Sequence, residues 1–141
     1  MSFLTDGPRM ILTPTYHVFE MYAPHQDAVA LPVWLEDEPV DWEGKTMPRI
    51  SASASRSGSG KVLLTLCNLH HEEAAEIHVE LRGSEVRGAA GRILTGPDTD
   101  SRNTFERPDA VAPAAFDGAA VARGSFVVKL PARSVVALNL V

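Results

Sequence analysis

The sequence has a single cysteine, Cys67, in 141 residues. No framework of disulfides can form, and Cys67 lies between Leu66 and Asn68 in an apolar run, so it reads as a strand thiol and not as a nucleophile. Positive charge is also scarce: 13 Lys and Arg stand against 18 Asp and Glu, a formal net charge of −5. No basic cluster covers a face, which excludes nucleic acid and anionic membrane as expected partners. Long apolar runs are missing too. Nothing approaches the ~18 apolar residues of a membrane span, and the first residues lack the basic start and apolar block of a secretory leader. A soluble, unsecreted, cytoplasmic chain is the expectation. Its length is enough for one domain that buries roughly 70% of the surface its unfolded chain exposes, without disulfides.

What is present begins with a helix signal, "LTPTYHVFEMY" over residues 12–22. Thr13-Pro14 supplies a hydroxyl cap followed by proline at the first helical position, where its missing N–H is no loss. Tyr16, Phe19 and Tyr22 recur at a spacing of three, with Val18 and Met21 beside them, and Pro24 forbids continuation. Such a helix is too short to stand alone in water. From Ala28 to Arg49 the chain is rich in proline and acidic residues. An edge strand from Val29, interrupted by Pro32, and then an acidic loop are expected there.

Beyond Pro48 the period becomes two. Ile50–Ser55 alternates apolar and hydroxyl residues, "SGSG" at 57–60 turns the chain, and Lys61–Asn68 returns, which predicts a hairpin. Glu76–Leu81 alternates strictly, and Val86–Thr95 reads as a further strand. Gly124–Leu130 and Ser134–Val141 flank Pro131-Ala132 and are expected to pair with each other. Six or seven short strands with glycine and proline punctuation predict a mainly β fold, an antiparallel, jelly-roll-like β-sandwich preceded by one short N-terminal helix.

Chemistry is harder to find. In "NLHHEEAAE", residues 68–76, His70, His71, Glu72 and Glu73 are consecutive and so point to opposite sides of an extended chain. They lack a metal-ligand spacing and read as a solvated hairpin turn. A helix end and a proline separate His17 from His25. Glycoside hydrolysis needs two carboxyl groups about 5–5.5 Å apart for retention, or further apart for inversion. Glu36, Asp37, Glu38, Asp41 and Glu43 lie in a proline-bearing loop, where charge signals exposure. No G-x-S-x-G elbow occurs, and "SGSG" lacks the lysine and helix of a phosphate loop. No catalytic, cofactor-binding or metal residue is assigned, and no cofactor is expected. Trp34, between Val33 and Leu35, reads as core or domain interface. Trp42 is the ligand candidate, because indole faces stack on sugar rings.

The stretches "MILTPTYHVFEMYAPHQDA" (10–28), "ISASASRSGSGKVLLTLCNL" (50–69), "GRILTGPDTDSRNTFERPDAVAPAAF" (91–116) and "LPARSVVALNLV" (130–141) resemble the C-terminal end of the family-51 glycoside hydrolases, the α-L-arabinofuranosidases. The resemblance implies a parent with a (β/α)₈ barrel carrying two catalytic glutamates, followed by an accessory jelly-roll sandwich. Such a parent releases arabinofuranosyl units from arabinose-containing polysaccharides with retention. Its glutamates lie upstream of the matched stretches, so no residue here inherits their roles. Residues 1–27 then correspond to the last barrel helix and linker, and 28–141 to the sandwich. Tyr16, Phe19, Met21 and Tyr22 become barrel or interface packing residues. The barrel is the implied partner, arabinose-containing oligosaccharide is met only through the parent, and a homo-oligomer is a further expectation. The family's sandwich also recruits a strand from the parent's N-terminus, so an uncovered sheet edge is expected. A stand-alone carbohydrate-binding module is the alternative.

Overall fold

The structure, a computed structural model, describes residues 1–122 and 125–141, without the side chains of Trp42 and Ala122. Within them the chain runs β1 (Phe3–Asp6), β2 (Arg9–Leu12), α1 (Pro14–Tyr22), a 3-10 turn (Ala23–His25), β3 (Val29–Leu31), β4 (Val40–Trp42), β5 (Lys45–Met47), β6 (Ile50–Arg56), β7 (Val62–Asn68), β8 (Ala75–Glu80), β9 (Ala89–Thr95), β10 (Ala114–Phe116), β11 (Ala119–Ala122), β12 (Ser125–Leu130) and β13 (Ser134–Leu140). Six strands in the order β10-β9-β13-β7-β6-β3 form one antiparallel layer, and β11-β12-β8 form the other. β1–β2 and β4–β5 are separate two-stranded ribbons.

The alternation in the sequence builds the core between these layers. The register sets Leu66 of β7 against Val136 of β13 and Ala52 of β6, and Leu64 against Leu138 and Ala54. Their side chains meet Phe126, Val128 and Leu130 of β12, all fully buried, with Ile77 and Val79 of β8 at the margin. β7 and β13 are apolar on both faces because the outer face of the larger sheet is covered in turn by α1. At Gly91 in β9 a Cβ would run into the backbone carbonyl of Ala137, so only glycine lets the two strands pack this closely.

The expected β6–β7 hairpin forms as the sequence indicates. Two other expected pairings do not. β12 pairs with β11 and β8, whereas β13 pairs with β7 and β9 in the opposite layer. The two segments face one another through the core instead of lying side by side, and Pro131–Arg133 is an arch between sheets, with Arg133 in the left-handed region at φ 51°. Residues 69–74 are likewise no hairpin turn: they cross from β7 to β8 in the other layer. Asn68 fastens both crossings. Its buried amide donates to the carbonyls of Glu73 (2.9 Å) and Pro131 (3.1 Å), while its oxygen accepts from His70 N (3.0 Å). Period-two alternation reveals a buried face but not which sheet contains it, and this is why both connections read as hairpins. Gly124, placed at the start of the β12 segment from sequence, lies outside the described residues.

Candidate functional site on the helix-bearing face

Helix α1 begins at Pro14, as the Thr13-Pro14 signal predicts. Thr13 is extended but does not cap the helix with its side chain. Its hydroxyl donates instead to Met1 O (2.8 Å) and its N–H to Ser2 O (3.1 Å), tying the helix start to the beginning of the β1–β2 ribbon. Met21, 1% exposed, enters a second cluster on the outer face of the large sheet, formed by Leu63, Leu94, Val111 and Ala137. Val18 and Tyr22 flank it. His17 is also buried, its Nδ1 lying 3.7 Å from the Glu20 carboxylate without a hydrogen bond. Arg92 of β9 donates to Glu20 (3.0 Å) and holds its carboxyl below the usual carboxylate range.

The helix passes directly into the turn that carries His25, whose ring is gripped by two hydroxyls of the sheet. Nδ1 lies 2.6 Å from Ser55 Oγ of β6 and Nε2 lies 3.1 Å from Thr65 Oγ1 of β7. Thr65 already donates its hydrogen to Ser53 O (3.3 Å), so it accepts from His25 Nε2–H, and Nδ1 accepts from Ser55. A serine hydrogen-bonded to histidine is the start of a hydrolytic triad. Here, however, a hydroxyl stands in the carboxylate's position and Ser55 is buried, so no substrate reaches it. The arrangement fastens the turn to the sheet.

A third attachment comes from the loop between β9 and β10. Buried Asn103 donates to Leu12 O and Val111 O (both 2.9 Å) and accepts from Val111 N (2.7 Å). It joins the end of β2 to the loop that carries Val111 beneath Met21. The guanidinium of Arg9 lies 4.8 Å above the Phe105 ring, adding a contact between the ribbon and the same loop.

Tyr16 (36% exposed) and Phe19 (68% exposed) point away from the sheet on the opposite side of α1 from Met21, and Tyr22 is half-buried. Trp34 is 89% exposed and therefore no part of this chain's own core. The side chain of Trp42 lies outside the described residues, while its backbone pairs with Lys45 in the β4–β5 ribbon. Asp37 accepts from Ile50 N (2.7 Å) and Asp41 from Thr46 Oγ1 (2.8 Å), so two of the loop carboxylates have structural hydrogen bonds. Among the described residues no three His, Cys, Asp or Glu side chains are placed to hold a metal ion. Sequence reasoning missed His25 and Asn103. For His25 the available signal was the row of outward hydroxyls Ser51, Ser53 and Ser55, a polar stripe that calls for a polar partner.

Six strands layered over three, one short helix sealed to the outer face and polar side chains engaged in holding loops together define an antiparallel β-sandwich domain. The family described as the α-L-arabinofuranosidase C-terminal domain matches residues 1–134. The chain belongs to that family. An intracellular exo-α-L-arabinofuranosidase of Bacteroides ovatus is 41% identical over 138 residues, 97% of this chain and 27% of that protein. The crystal structure of the GH51 arabinofuranosidase from Xanthomonas axonopodis pv. citri superposes with a TM-score of 0.96 at 41% identity, covering 99% of this chain and 28% of that one. The thermostable GH51 α-L-arabinofuranosidase from Thermotoga petrophila shares the fold, with a TM-score of 0.82 at 24% identity over 98% of this chain and 31% of that one. The chain thus spans about a quarter to a third of the length of these relatives.

Proposed function

We propose that this domain braces the catalytic barrel of an α-L-arabinofuranosidase through the outward face of α1, without contributing catalytic residues itself. The parent hydrolyses terminal arabinofuranosyl residues of arabinose-containing polysaccharides. It works in the cytoplasm, a reading favoured by the relative that is named intracellular. Residues 1–27 belong with the barrel in this reading, and 28–141 form the accessory sandwich. One observation carries it: a nine-residue helix sealed by Met21 on one side presents Tyr16 and Phe19 to solvent on the other. Such an apolar pair gains by being covered.

The test is Phe19→Asp in the full-length enzyme and in the 141-residue chain. The full-length variant is expected to unfold at a lower temperature and with separated domain transitions, whereas the chain alone changes by less than about 0.5 kcal/mol, as exposed sites do. Unchanged unfolding of the full-length variant refutes the docking role. Turnover of p-nitrophenyl arabinofuranoside by the purified chain refutes the non-catalytic one. A second reading, sugar binding by the domain itself, is favoured only by the exposed indole of Trp34. It requires calorimetric heat with arabino-oligosaccharides that disappears in Trp34→Ala.

A further inference from the structure

We propose that His25 is a pH-dependent latch that holds the C-terminal half of α1 against the large sheet when its ring is neutral and lets go when the ring is protonated. The ring joins three elements distant in sequence: the turn that ends the helix, Ser55 on β6 and Thr65 on β7. Both ring nitrogens are engaged, and the direction of each bond follows from the Thr65–Ser53 contact. Nε2–H donates to Thr65, and Nδ1 accepts from Ser55.

Protonation turns Nδ1 into a donor. The Ser55 hydroxyl would then have to turn its hydrogen elsewhere, yet Ser55 is buried and its Oγ has no other partner among the described residues. Either the hydroxyl hydrogen is left unsatisfied or the ring moves out. Among the described residues no charged side chain forms a hydrogen bond or ion pair with the ring. The groups facing the ring are the Tyr22 ring from the helix (centroids 5.7 Å apart), Ser55 from β6 and Thr65 from β7, while on β3 the residue paired with Ser55 is Ala30. The charged groups of α1 are engaged elsewhere, Glu20 with Arg92 and, at longer range, with His17. Burial alone pushes the His25 pKa below its ordinary value of 6.5.

The sign follows from that depression. The neutral latch contributes fully above about pH 6.5, where the unfolded chain is also neutral, and its contribution is lost as pH falls through the depressed folded-state pKa. The ring's partners, Ser55 and Thr65, stand on the outer face of the large sheet and not in the core between the layers, so the expected change is local opening of residues 20–26 and not unfolding of the sandwich.

Amide hydrogen exchange of the 141-residue chain at pH 7.5 and pH 5, corrected for intrinsic rates, tests the latch. Protection of residues 20–26 should fall at the lower pH, by up to about tenfold for each unit separating the folded and unfolded pKa values. β6 and β7 should hold their protection. His25→Gln should abolish the pH dependence, and His17→Gln should retain it. Ring ¹⁵N shifts at pH 7.5 should report the Nε2–H tautomer. Equal protection at the two pH values, a fall that persists in His25→Gln, or an Nδ1–H tautomer overturns the proposal.

Discussion

Truncating Met21 to alanine probes how the short helix is held. Nine residues do not sustain a helix in water, so α1 exists by virtue of its contact with the sheet. Met21 is its deepest side chain, 1% exposed among Leu63, Leu94, Val111 and Ala137. Burying a methionine contributes about 1.5–3 kcal/mol, and removing it to leave a cavity raises the loss to about 2–5 kcal/mol. A second outcome limits that figure. If the helix departs instead of spanning a void, the loss cannot exceed the free energy of docking α1, and the three sheet residues and Val111 become wet in the native state. Urea denaturation followed by far-UV circular dichroism separates the two cases. A docked helix over a cavity lowers the midpoint at an unchanged slope, whereas a detached helix lowers the slope as well, because less surface remains to be exposed. Phe19→Ala on the same helix, at a site 68% exposed, is the control and should change stability by less than about 0.5 kcal/mol. A Met21→Ala loss no larger than this control, with the helix amides still protected from exchange, would refute the anchoring role.

Asn103→Ala removes three hydrogen bonds in a buried setting and leaves Leu12 O, Val111 O and Val111 N without their partner. A loss of about 2–4 kcal/mol is expected from burying unsatisfied groups, read as a lower melting temperature, and a melt within a degree of wild type would contradict it. Gly91→Ala forces a methyl group into the Ala137 carbonyl, so β9 and β13 must separate at the centre of the sheet. The variant should accumulate mainly as insoluble protein, and recovery of a soluble domain with wild-type stability would show that the strands are free to shift apart.

Much of this fold was legible in the sequence where a local physical signal existed. α1 announced itself through Thr13-Pro14 and Pro24, β6 and β8 through alternation, and β7, β12 and β13 as largely apolar segments bounded by turn signals. Partner choice was not legible. Residues 125–130 carry one apolar face and 134–140 are apolar on both, and such patterns suit two strands opposed through a core as well as two strands side by side. The ribbon β1–β2, with four-residue strands, and the short, alanine-rich β10 and β11 carry almost no periodic signal. The helix-bearing site was legible in part. The aromatic residues of α1 stood out, but the latch depends on Ser55 and Thr65, 30 and 40 positions from His25, and only the folded topology brings them together. Asn103 was a polar residue in a long loop, and nothing local distinguishes one that is buried from one that is solvated.

The position of β13 has a consequence for the order of assembly. It lies between β9 and β7, near the middle of the six-stranded layer, yet it is synthesised after every other strand described. While the ribosome is still making residues 134–140, the β6–β7 hairpin and the β9–β10 pair can each form, but both expose an unpaired edge with no strand yet available to join them. Joining these halves must therefore wait for the final strand to emerge. A nascent chain stalled at Pro131 holds two sticky half-sheets, the state from which this domain would most readily aggregate.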